Sequence, residues 1–197
     1  MITDKLKARD LISTAIFSVL FYAVYMAVSA ILWMSVVLNP FCVAVGMLPS
    51  GIVWAYMRVK VPKRFAILIQ TVVLTLISFV SGSPWFIGVA TFIGGAVAEL
   101  ICGAGKYKSF KLTTIAFAAY ALAVNIGNYS LMLFARDYYF EVCVQGGFDA
   151  ELANRLIDAV SGPIFLLSTV LAVICAVGGM FIGKALLKKH FVKAGMI

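Results

Sequence analysis

The sequence predicts an all-α, polytopic membrane protein: a bundle of six transmembrane helices with both termini cytoplasmic. Three observations carry this expectation. Of 197 residues, 63% are hydrophobic and 12% charged, and the mean hydropathy is +1.06. A soluble domain has roughly half apolar and about a quarter charged residues. The uncharged stretches are long and solid rather than alternating, which argues against a barrel. Finally, the basic residues cluster at alternate connections, as spans threaded through a bilayer require.

The elements follow from the uncharged runs. Leu11 to Asn39, Phe41 to Met57, Leu112 to Ala135 and Ala159 to Gly183 each suit one span, since a spanning helix needs about 20 mainly apolar residues. Phe65 to Ala98 is long enough for two short helices and contains the turn signal Ser81-Gly82-Ser83-Pro84. Helices are therefore expected near 9–37, 43–58, 64–80, 85–104, 111–135 and 160–187, all within one domain spanning 1–197. The first run exceeds a secretory signal in length, and Ser29-Ala30-Ile31 is a poor cleavage site, so it reads as a mature helix. In the external segment 136–159, Phe148, Leu152, Leu156 and Val160 fall at helical spacing behind Asp149, a suitable cap. That segment reads as a short amphipathic helix, either a plain connector or a lid over an external pocket.

Charge placement orients the chain. Lys5, Lys7 and Arg9 precede the first helix, and Arg58, Lys60, Lys63 and Arg64 join the second to the third. Lys106, Lys108 and Lys111 join the fourth to the fifth, and Lys184, Lys188, Lys189 and Lys193 close the chain. Fourteen of the 16 basic residues thus share one side, which the positive-inside rule makes cytoplasmic. Only Arg136 and Arg155 lie opposite, among Asp137, Glu141, Asp149, Glu151 and Asp158. The net charge of +8 is then an orientation device and a contact for anionic lipid, not a nucleic-acid surface.

The motifs of common chemistry are missing. His190, the single histidine, lies in the basic tail. Cys42, Cys102, Cys143 and Cys175 lack metal spacing, although Cys42 and Cys143 both lie toward the outside and could pair. There is no phosphate-binding loop and no serine nucleophile motif. No enzyme, cofactor or metal site is expected. Glu99 is the only acidic residue inside a span. It pairs with a basic residue or helix end, forms a cation site, or meets a partner subunit.

Two features remain. Small residues at close spacing mark helix faces that can approach closely: Ala23 and Ala27 in the first helix, Gly94, Gly95 and Ala98 in the fourth. Ala119, Ala123 and Gly127 in the fifth and Gly179 and Gly183 in the sixth extend the pattern. The fifth helix also carries a polar stripe, Asn125, Asn128, Tyr129 and Met132, in its outer half. Buried amides in lipid need partners, so the stripe holds either a neighbouring helix or a ligand. Trp85, Gln145, Ser161 and Ser168 could converge on the same outer cavity. Trp33, Trp85, Tyr138 and Tyr139 also suit an interfacial aromatic belt.

The basic start Lys5-x-Lys7-x-Arg9-Asp10-Leu11 runs into a small-residue helix. Gly94-Gly95-Ala96-Val97-Ala98-Glu99-Leu100-Ile101 is followed by Gly105-Lys106-Tyr107-Lys108-Ser109. With size and span number, these resemble the Trep_Strep group of S components, the substrate-capturing membrane subunits of energy-coupling factor (ECF) transporters. The resemblance implies six helices, an outward pocket, and docking on a transmembrane coupling subunit driven by two cytoplasmic ATPases. Toppling in the membrane would then deliver a micronutrient: a vitamin, a precursor, or a metal chelate such as heme. Family docking uses an Ala-x-x-x-Ala pattern on the first helix. Here Ala15 and Ser18 stand in its cytoplasmic half, Val19 departs from the pattern, and Ala23 and Ala27 match it deeper. The alternatives are a stand-alone carrier or channel, and a non-transporting assembly subunit.

Overall fold

The computed structural model describes residues 6–188 and Val192. Lys5, Lys189, His190 and Lys193 lie outside the described residues. Among the described residues eight α-helices follow in order: α1 (Ala8–Trp33), α2 (Cys42–Lys60), α3 (Ala66–Val80), α4 (Trp85–Ala104), α5 (Phe110–Phe134), α6 (Arg136–Gln145), α7 (Ala150–Asp158) and α8 (Gly162–Leu186). A 3₁₀ turn, Asn39–Phe41, leads into α2. Counting that turn with α2, five helices are long and apolar enough to cross a membrane; α3 is apolar but shorter.

Two elements depart from the sequence reading. The first helix, expected to reach residue 37, ends at Trp33, and turns carry the chain to Asn39. Leu38 and Asn39 both donate to Ser35 O, closing turns in place of further helix, and Pro40 sits in the first turn of the 3₁₀ segment, where its missing N–H costs nothing. The segment 136–159 holds two helices instead of one. Gly146-Gly147 separates them, with Gly147 at φ 88°, a left-handed conformation that glycine adopts without a Cβ penalty. Asp149 then caps α7, its carboxylate accepting from the Glu151 and Leu152 N–H groups at 2.9 and 3.0 Å. An Arg136–Asp158 ion pair joins the start of α6 to the end of α7.

The bundle is organised around α2 and α5. Helix α2 packs on α1, α5 and α8, and α5 on α4 and α8, while α3 is held by α1 and α4. Aromatic rings fill the centre: Trp54 lies 5.0 Å from Phe117 and 5.4 Å from Tyr120, and Phe21 meets them edge-on. The small residues of α4, α5 and α8 are used inside the bundle. A Cβ on Gly95 would lie 1.8 Å from Thr71 Oγ1, so α3 and α4 meet there at a distance only glycine allows. On α8, a Cβ on Gly179 would lie 2.1 Å from the Leu48 carbonyl oxygen of α2. Ala123 faces Gly94, and Gly127 faces Ala90, along the α4–α5 seam.

At the basic end of the bundle the acid of α4 has a structural partner. Glu99 accepts from the backbone N–H groups of Phe65, Ile67 and Leu68 at 2.6, 3.1 and 3.3 Å. It therefore satisfies the orphan donors that open α3 and places its charge at the positive end of the helix dipole. The Tyr107 hydroxyl donates to the same carboxylate at 2.8 Å. Of the roles open to Glu99 in the sequence, the helix end is the one occupied. Nearby, Arg58 is fully buried, donates Nη1 to Val61 O at 3.0 Å, and faces the Tyr107 ring. Lys63 reaches Asp10 at 2.6 Å, pinning the α2–α3 connection to α1.

Candidate functional site

Opposite the basic end, α1, α3, α4 and α5 splay around a cavity of about 690 Å³, roofed by α6 and α7. That volume lies in the range of about 300–1,000 Å³ typical of small-molecule pockets. Its floor is aromatic and thioether: Phe21, Met47 and Tyr120. Helix α1 supplies one wall through Tyr22, Tyr25 and Met26, whose three- and four-residue spacing puts them on one helix face. The opposing wall is α5, and the rim is formed by Trp33, Met34, the 81–84 turn, Phe148 and Leu152.

The polar stripe of α5 divides between two jobs. Asn128, Tyr129 and Met132 line the cavity. Asn128 Nδ2 donates to Val124 O at 2.8 Å, within its own helix. The Tyr129 hydroxyl donates to Asn39 O at 2.6 Å, so it holds the 3₁₀ turn against α5. Asn125 points away from the cavity. Its Nδ2 donates to Ser168 Oγ at 3.3 Å and Thr169 Oγ1 at 3.0 Å, stitching α5 to α8.

The other residues expected to converge on the cavity do not reach it. Ser168 is fully buried at the Asn125 junction. Trp85 is half exposed, and its indole N–H donates to the Tyr138 hydroxyl at 2.8 Å, linking α4 to α6. Gln145 is exposed at the end of α6, and Ser161 is exposed ahead of α8. The cause is shared: each lies at a helix end or on a helix face turned from the cavity, and chain position alone does not reveal which face is inward.

The cavity also recruits residues that sequence reasoning missed. Helix α6 contributes Tyr139, Val142 and Cys143. Burial pushes the Tyr139 hydroxyl and the Cys143 thiol upward from their ordinary pKa values, so both present neutral groups. The available signal was the spacing of Tyr139 and Cys143, four apart on one face. All four cysteines are free thiols; Cys42 does not pair with Cys143, and its Sγ is directed at Ser29 O, 3.8 Å away. On α1, the residues expected to dock a partner also separate. Ala23 and Ala27 are exposed on the outer face, Ala15 is half buried, and Ser18 is fully buried. Ser18 faces the bundle and donates to Thr14 O at 2.8 Å, so it is not part of an outward surface.

Among the described residues, five apolar helices of spanning length, in a bundle with a roofed cavity at one end, define an all-helical, multi-pass integral membrane protein. Residues 8–193 match the model of a family described as a hypothetical bacterial integral membrane protein, Trep_Strep, and the chain belongs to that family. No curated protein and no solved structure matches it.

Proposed function

We propose that the chain is the substrate-capture subunit of an ECF-type importer, with a small micronutrient held in the cavity under α6 and α7. The observation that carries this reading is the cavity itself, which is large enough for a vitamin-sized molecule and roofed by two short helices. Orientation supports it. By the positive-inside rule the basic end faces the cytoplasm of a prokaryotic cell membrane. The short α3 serves as a sixth span, both termini are cytoplasmic, and the cavity faces outward. The chain has no nucleotide-binding loop of its own, so energy comes from partners: a transmembrane coupling subunit and two cytoplasmic ATPases.

Helix α1 is the docking element in this reading. Ala23 and Ala27 form a shallow notch among the exposed apolar residues Ile12, Ile16, Val19, Leu20 and Ile31, and such notches let a second helix approach closely. The test uses the chain purified from native membranes. An ATPase-bearing complex should copurify, and the pair Ala23→Leu and Ala27→Leu should release it while the chain retains its small molecule. Ion-driven flux through the chain alone in liposomes would overturn the reading in favour of a stand-alone carrier.

A further inference from the structure

Resting on the reading that the cavity holds the substrate, we infer that the substrate enters it as an uncharged molecule built on an aromatic or conjugated ring system. No lining residue among those described is Asp, Glu, Lys, Arg or His. An ionised group placed there would lose its water without gaining a counter-charge, an unfavourable exchange even after relaxation. The formal charges near this end do not compensate. The charged residues of α6, α7 and the turn between them are all exposed and absent from the lining, and Arg136 pairs with Asp158.

The walls specify more than neutrality. Tyr22, Tyr25, Tyr129 and Tyr139 present ring faces or edges from three helices. Met26 and Met132 add polarisable thioethers from opposite walls. Offset and edge-on ring contacts, with sulfur at ring edges, favour a flat π-system over a compact aliphatic one. Polar recognition rests on uncharged groups, with the hydroxyl-bearing Tyr22, Tyr25, Tyr120, Tyr139 and Thr91 also in the lining. The Tyr129 hydroxyl is committed to Asn39 O, and Ser78 Oγ donates to Thr75 O. Asn128 commits Nδ2 to Val124 O and keeps Oδ1 as an acceptor. The site therefore suits a ring system bearing uncharged hydrogen-bonding groups, among them an N–H or O–H donor for Asn128.

The test measures equilibrium binding of three probes of one shape to the full chain in lipid nanodiscs at neutral pH. The probes are 2-naphthol, 2-naphthoate and 2-naphthylmethylammonium. Two variants separate cavity binding from lipid partition: Val124→Trp, which fills the cavity, and Leu152→Arg, on the half-exposed rim of α7. The expected result is that the wild type binds 2-naphthol at least about tenfold more tightly than either ion, following the cost of an unpaired buried charge. Val124→Trp should abolish that preference, and Leu152→Arg should shift it toward 2-naphthoate. Wild-type affinity for either ion equal to that for 2-naphthol, lost in Val124→Trp, would overturn the neutral-substrate inference and leave the pocket standing. Probe uptake identical in the wild type and both variants would overturn the inference and the pocket together.

Discussion

The backbone N–H of Phe65 donates to Glu99 Oε1 at 2.6 Å, and Phe65 itself has a φ of 66°. A non-glycine residue in the left-handed region costs on the order of 1–3 kcal/mol and persists only when its surroundings hold it there. Two more residues in this conformation, Lys106 and Tyr107, form the α4–α5 turn, and Tyr107 binds the same carboxylate. One acid on α4 thus fixes the connections on both sides of the α3–α4 pair. Glu99→Ala should remove about 3 kcal/mol of stability, the scale of several hydrogen bonds to one buried charge. Glu99→Gln should fall between the two, because its amide nitrogen cannot accept. Thermal unfolding in nanodiscs measures this, and an unchanged midpoint for Glu99→Ala would refute the capping role.

Burial, reinforced by the hydrogen bond to Glu99, pushes the Tyr107 hydroxyl up to about 12. Its ordinary value is 10.0, so the folded protein binds the phenolic proton more tightly than the unfolded chain. The contribution to stability is complete below pH 10.0 and is lost as pH rises toward about 12. Tyr107→Phe should therefore be less stable than wild type at neutral pH, with the gap closing across that window. A constant gap from neutral to strongly alkaline pH would exclude the mechanism.

The α3–α4 and α2–α8 crossings should respond differently to an added methyl. Gly95→Ala strikes the Thr71 side chain, whereas Gly179→Ala strikes the Leu48 backbone carbonyl. Each should cost about 1–3 kcal/mol, the usual range for overpacking. Thr71→Ala removes Oγ1 and Cγ2, the two nearest atoms, but leaves Cβ 2.5 Å from the added methyl, so it should restore part of that loss. Truncating Leu48 leaves its carbonyl in place and should restore nothing at Gly179. A double-mutant cycle with equal coupling at both crossings would contradict this geometry.

The asparagines of α5 should separate stability from binding. Asn125→Ala breaks the interhelical bonds to Ser168 and Thr169 and should lower stability by roughly 1 kcal/mol, the scale of such bonds in membranes. On the proposed function, retention of the small molecule should persist. Asn128→Ala removes an amide from the cavity wall and should weaken ligand retention with little change in the unfolding midpoint. The reverse pattern, read by native mass spectrometry and thermal unfolding, would show that the stripe had been divided wrongly.

Parts of the candidate site were legible in the chain because they sit in a continuous helical pattern. Asn128, Tyr129 and Met132 fall on one stripe, and they share the cavity wall. The α1 wall was hidden because Tyr22, Tyr25 and Met26 lie in a run so apolar that no face stands out. Trp85, Gln145 and Ser161 looked convergent because they share a level along the bundle. A common level does not imply a common direction.

The sequence by itself determined that lipid surrounds this protein, where the long apolar helices run, and which connections are basic. Those properties add up along the chain, residue by residue, so composition and charge order suffice to read them. Only the tertiary structure decided that Asn125 serves α8 while Asn128 serves the cavity, that Ser18 turns inward, and that Glu99 caps α3. In a helix solvated by lipid, apolar side chains are comfortable on every face, so hydrophobic periodicity does not mark the inside. The inward face is chosen by contacts between helices distant in sequence, where a glycine admits a backbone or an acid meets an unpaired helix end.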